Sequence, residues 1–253
     1  MTRLAIGLQM YTLRNETAED FLGTLRKVAE MGYEGAEFAG YGGLDAQTLR
    51  SEMDAIGLKT LGAHVSLARM LEAAQEEIEY MKTLGGKYIV VPWMGPETYA
   101  DESALADTCG QLESIAKACA EQGIVFGYHN HSFELEVRMG DQLLLDAIFD
   151  KSPSVQVELD SCWVHNAGID PVEYIRKYSG RIPLVHLKDM KRGADGKPQT
   201  VELGKGEVNL AGIAAAAKEA GSEWLIVEQD HCANPPLESV ATSIGWLRDN
   251  GLR

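Results

Sequence analysis

Residues 155–189, VQVELDSCWVHNAGIDPVEYIRKYSGRIPLVHLKD, hold two successive strand-then-helix units whose strands both end in polar residues. In VQVELD the twofold period of a strand puts Val155, Val157 and Leu159 on one face and Gln156, Glu158 and Asp160 on the other. PLVHLKD separates Val185 and Leu187 from Leu184, His186 and Lys188 in the same way. A carboxylate and an imidazole therefore arrive at the ends of neighbouring strands. That pattern predicts a parallel (β/α)8 barrel, in which aliphatic faces pack on helices and the last inward residues line the C-terminal mouth.

Working outward, the rhythm extends over the chain. LAIGLQM, GAEFAG, TLGAHVS, KYIVVPW, IVFGYHNH and WLIVEQD read as the other strands, each followed by an amphipathic stretch that ends near a glycine. The first helix is expected to be capped by Thr17. The connection from Met190 to Val208, with GADGKP and GKGEV, reads as a mobile or hairpin-like loop over the mouth. No linker interrupts the eight units, so residues 1–253 are expected to form a single barrel domain. The length also matches the roughly 250 residues usual for this architecture.

Composition narrows the function. With 23 Lys and Arg against 38 Asp and Glu, the formal charge is −15, which argues against a nucleic-acid or anionic-membrane partner. The four cysteines, Cys109, Cys119, Cys162 and Cys232, lack zinc-knuckle spacing and read as reduced thiols of a cytoplasmic protein.

The last residue on the inward face of each predicted strand is Gln9, Glu37, His64, Pro92, His129, Asp160, His186 and Glu228. Only Pro92 is apolar. A barrel filled for stability alone would carry Val, Ile or Leu there, because a buried unpaired charge is costly. Asp, His and Glu donors suit a divalent ion such as Mn, Zn, Fe, Co or Mg, and a barrel mouth leaves positions open for substrate oxygens. One histidine alone reads as a core residue; the converging set reads as a site. Trp93, Trp163 and Phe133 are candidates for a sugar-stacking wall, His165 and His231 for surface positions, and the Gly204–Gly206 turn for an ordinary loop.

The motifs GLQMYTLR, GYEGAEF, LGAHVS, GIVFGYHNHSFELE, VELDSCWVHNAGIDPVEYI, VHLKDM, ELGKGEVN and VEQD occur in an order that resembles the xylose-isomerase-like TIM barrels, and among them the sugar phosphate isomerase/epimerase group. The resemblance covers essentially the whole chain. It implies one divalent ion, often manganese, with Asp160, His186 and Glu228 as ligands. The fifth-strand position departs: His129 stands where many relatives carry a glutamate that is both ligand and acid/base. Trp163 replaces a second histidine common after the aspartate, which argues against a three-zinc endonuclease site. The resemblance further implies a small carbohydrate or polyol substrate and a possible homo-oligomer.

The expected chemistry is proton abstraction next to a carbonyl, with Glu228 or His129 as the base and an enediolate intermediate, giving isomerisation or epimerisation. A dehydratase or eliminase acting on keto-inositols or 3-keto-sugars, and a non-catalytic sugar-binding barrel, are the alternatives. His129 is expected within reach of the metal, as ligand or as acid/base. His64, Glu37, Lys188, His131, Glu158 and Trp163 are expected around it, contacting substrate or orienting ligands.

Overall fold

A computed structural model describes residues 3–253. The barrel strands are β1 (Ala5–Gln9), β2 (Gly35–Phe38), β3 (Lys59–His64), β4 (Tyr88–Val91), β5 (Val125–His129), β6 (Gln156–Asp160), β7 (Leu184–Leu187) and β8 (Trp224–Val227). They pair in parallel in sequence order and β8 closes on β1, through registers such as Leu8 to Val227. The architecture is the closed α/β barrel that the alternation predicts.

The outer faces supply the main core. Ile6, Leu8, Phe38, Ile89, Phe126, Val157, Leu159, Val185, Leu187 and Leu225 are fully or almost fully buried against the surrounding helices. Those helices begin and end on local signals. Asp45, Ser66, Asp101 and Asn209 accept hydrogen bonds from the backbone N–H three residues on, and Gly85, at φ +83°, ends the helix Leu67–Leu84 in the left-handed conformation.

The inner faces are layered. Leu61, Tyr88, Val90, Leu184 and Ile226 fill the lower interior, and the polar residues lie above them. The fit is tight enough that a Cβ on Gly7 would stand 2.9 Å from Leu61 Cδ1. Strict alternation in β3 would turn Leu61 outward with Ala63. The β2/β3 register slips between Ala36 and Glu37, so that Glu37 pairs with Gly62, and this irregularity lets both Leu61 and His64 face inward.

One local expectation is corrected and one is narrowed to its hairpin alternative. Thr17 is no cap: its Oγ1 donates back to Leu13 and Arg14 carbonyls, and the main helix, Phe21–Met31, starts afresh with Asp20 accepting from Gly23 N. A six-residue helix, Arg14–Glu19, precedes it and accounts for the early onset of helical periodicity. The long connection after β7 is an antiparallel hairpin, Asp189–Arg192 with Pro198–Val201. No helix among the described residues is long and apolar enough to cross a membrane.

Candidate active site

β6 and β7 place the centre of the site. Asp160, the last residue of β6, caps the short helix Ser161–Asn166 by accepting from Cys162 N and Trp163 N with Oδ1, both at 3.0 Å, which leaves Oδ2 aimed into the barrel. Asn130 Oδ1 accepts from Asp160 N at 2.9 Å, and Ser161 Oγ donates to the His186 carbonyl at 2.7 Å, so the ends of β5, β6 and β7 are tied together. The expected site residues His129, Asp160, His186 and Glu228 then converge, with one ligand atom from each lying within 4.8 Å of the others.

A second set lies one layer deeper. His64 Nε2 is 2.7 Å from Glu158 Oε2, His129 Nδ1 is 3.0 Å from the same oxygen, and His186 Nε2 is 2.8 Å from Glu37 Oε2 and 3.3 Å from Glu158 Oε2. Gln9 Nε2 steadies Glu37 with a 2.8 Å hydrogen bond. Glu37 and Glu158 thus pair with imidazoles and make no ion pair with Lys188 or an arginine.

Lys188, expected around the ligand set, stands among its carboxylates. Its Nζ lies 2.8 Å from Asp160 Oδ2, 2.9 Å from Glu228 Oε2 and 3.1 Å from Asp230 Oδ2, and the residue is 1% exposed. Asp230 went unassigned in the sequence reading, although it shares a face with Glu228 by simple alternation in VEQD. Asp189 was also missed. Its buried carboxylate accepts from the N–H groups of Met190, Gly204, Gly206 and Val208 at 2.8–3.1 Å, so the glycine turn spends its amides on this side chain.

Electrostatics sort the groups into charged and neutral. Burial opposes charge on Lys188, but Asp160, Asp230 and Glu228 outweigh it and hold the ammonium well above its ordinary range. Burial likewise opposes charge on Glu228, and here Lys188 and the His186 hydrogen bond win, keeping it ionised. On Glu158 burial is outweighed by the His186 and His64 charges, which hold the carboxyl low. Burial and the neighbouring Glu158 push Glu37 up to about 7. Burial and the charge of His186 keep His129 neutral, and burial with Lys188 lowers His131 to about 4.

Above this ring opens a cavity of about 380 Å3 lined by Tyr11, Ala39, His64, Pro92, Trp93, His129, His131, Lys188, Glu228 and Asp230. Trp93 lies on its rim, 53% exposed. Trp163 lines an adjoining cavity with the hairpin residues Gln199 to Val201, its ring 6.1 Å from that of His131 and 5.5 Å from Lys188 Nζ. Phe133 stacks on Tyr99 at 5.7 Å and lines neither cavity. His231 is exposed, and His165 is half-buried with Nε2 3.5 Å from Glu207.

Comparison with known proteins agrees with this architecture. An inosose dehydratase of Geobacillus kaustophilus is 27% identical over 191 residues, 66% of this chain and 61% of that protein. One from Clostridium botulinum is 24% identical over 89% of this chain and 88% of its own length. The crystal structure of a sugar phosphate isomerase/epimerase from Parabacteroides distasonis superposes with a TM-score of 0.84 at 25% identity, covering 98% of this chain and 99% of the other. The sequence model of the xylose isomerase-like TIM barrels matches residues 25–250, and the chain belongs to that family.

Proposed function

We propose that the protein is a cytoplasmic, divalent-metal-dependent enzyme that removes a proton from carbon next to the carbonyl of a small keto-sugar or polyol and returns it to give an isomer or epimer. The observation that carries this reading is the juxtaposition of Glu228, Lys188, Asp230, His129 and His64 around a cavity of about 380 Å3, a volume suited to a small sugar. The family and the relatives, inosose dehydratases and a sugar phosphate isomerase/epimerase, support it.

Glu228 lines the cavity and is held ionised, as a base must be. His129, held neutral and on the same wall, is the alternative base. Lys188 is a poor proton donor, because three carboxylates retain its proton; it is suited to stabilising negative charge on a substrate oxygen as the enediolate forms. His131 lines the same cavity, its buried Nδ1 has no hydrogen-bond partner among the described residues, and the ring is a candidate to receive a substrate hydroxyl. Trp93 and Trp163 offer apolar surface at the rim and beside it.

The clustered imidazole and carboxylate donors around the cavity floor fit a divalent ion by their N and O chemistry, and manganese is the first to try. Family precedent assigns it to Asp160, His186 and Glu228, with His129 added. When bound, such an ion supplies Lewis-acid stabilisation of the enediolate.

β-Elimination is the second reading. It is favoured by an imidazole at His129 in place of the epimerase carboxylate, and by the inosose dehydratase relatives. One experiment separates the two: incubation of the metal-loaded protein with keto-sugars and inososes in deuterated water, followed by NMR. Deuterium at one carbon with a new stereoisomer or positional isomer supports the first reading. An alkene or its keto tautomer supports elimination. No exchange and no product with any member of the panel would count against both.

A further inference from the structure

The two donor sets share the rings of His129 and His186 but use opposite nitrogens of each. His186 turns Nδ1 toward Glu228 Oε2 at 2.7 Å and Nε2 toward Glu37 and Glu158. His129 turns Nε2 toward Asp160 Oδ2 at 3.7 Å and Nδ1 toward Glu158. A neutral imidazole has one lone pair for a metal and one N–H to donate, and a ligating histidine commonly donates that N–H to a carboxylate. An ion bound on one side therefore makes the carboxylates of the other side its outer support.

The mouth side already holds a cation. Lys188 Nζ stands within 3 Å of both Asp160 Oδ2 and Glu228 Oε2, and a divalent ion placed on those oxygens would face a buried ammonium. The deep side has two carboxylates, Glu37 and Glu158, and neither pairs with a lysine or arginine. The Oε1 atom of each is buried without a hydrogen-bond partner among the described residues, a costly state for a carboxylate oxygen unless a cation answers it. His64 and His129 also line the cavity, so the deep set reaches its floor.

We infer that the divalent ion sits on His64, His129, Glu158 and His186, with Glu37 behind them, and that Lys188 fills the mouth-side position to which family precedent assigns the metal. Asp160 and Glu228 then act on the ion through the far nitrogens of His129 and His186, and both carboxylates remain free for proton handling. This inference rests on the metal-dependent reading above and relocates the ion within it.

The test uses Mn2+ as probe with the intact 253-residue chain, in equilibrium dialysis and in pulsed EPR that counts imidazole nitrogens coupled to the ion. The deep site predicts three coupled imidazoles, from His64, His129 and His186, whereas the mouth set has only the latter two. His64→Gln should lower the count by one. Glu158→Gln should weaken binding by more than about 100-fold, and Asp160→Asn, acting through an outer contact, by no more than about tenfold. A count of two that His64→Gln leaves unchanged, with binding abolished by Asp160→Asn, would return the ion to the mouth and overturn the inference while sparing the proposed reaction. Wild-type protein that binds neither Mn2+ nor Zn2+, Fe2+, Co2+ or Mg2+ would remove metal dependence itself. Circular dichroism checks each variant's fold; if Glu158→Gln does not fold, the His64→Gln count decides, because His64 lies at the cavity wall.

Discussion

The lower and upper halves of the barrel interior are built from the same strands and differ in what they cost. In β7, Leu184 faces the lower layer and His186, two residues on, faces the ring; the corresponding pair is Ile226 in β8 and Glu228 just beyond its end. Each lower side chain contributes about 1.5–3 kcal/mol by burial and asks only for a matching volume. The upper side chains must be paired to be tolerated at all, and every pair depends on a third group. The apolar layer can therefore lose atoms without changing the chemistry, whereas the polar ring can lose its chemistry without any change in volume.

The most severe way to test that contrast is Lys188→Met. Removing the ammonium leaves Asp160 and Glu228 facing each other without their buried counter-ion, a loss expected to reach about 3–5 kcal/mol in denaturant unfolding, together with loss of turnover. A Lys188→Met variant with wild-type stability would show that the ring is far more solvated than its burial indicates. Ile226→Ala, in the layer below, should cost about 2–5 kcal/mol through the cavity it opens. Mn2+ affinity measured below the unfolding transition should stay within a factor of two or so of wild type, by the near-independence of sites without shared partners. A large change in affinity would mean that the two halves are mechanically coupled.

The smallest effect is expected at Glu134, beside the ring. This buried carboxyl accepts from Tyr128 Oη at 2.7 Å and His131 N at 2.8 Å, and burial raises it to about 7. The folded state thus holds the proton more tightly than the unfolded chain. Stability is unpenalised below the ordinary carboxyl range, falls as pH rises toward 7, and stays reduced above it, by at most about 3 kcal/mol. Glu134→Gln keeps an acceptor for His131 N and offers an amide donor to the tyrosine oxygen. Its stability relative to wild type should rise between pH 5 and pH 8 in paired thermal melts; a constant difference would place the ionised form in the folded protein.

Much of the fold was legible because parallel strands carry their burial in a twofold period. Residues such as Val157 and Leu159, or Val185 and Leu187, announce an outer face without knowledge of their neighbours. Periodicity does not report register, and so the slip that turns Leu61 inward was invisible. It also does not report the reach of a side chain. Lys188 was correctly given an inward face, but its position between Asp160 and Glu228 depends on a long stem and on partners 28 and 40 residues away. Asp189 went unseen for a related reason, since its partners are backbone amides and carry no residue-type signal.

The Asp189 clasp bears on how a substrate would enter. Its carboxylate joins the residue at the start of the hairpin to backbone amides at positions 204, 206 and 208, beyond the hairpin's second strand. Both feet of the hairpin are therefore fastened to one side chain, and the torsions that would let it swing as a flap are held at its base. A hinged lid needs at least one free foot. On this side the mouth is therefore bounded by a strap moored at both ends, with Trp163 and Gln199 lining the cavity beside it.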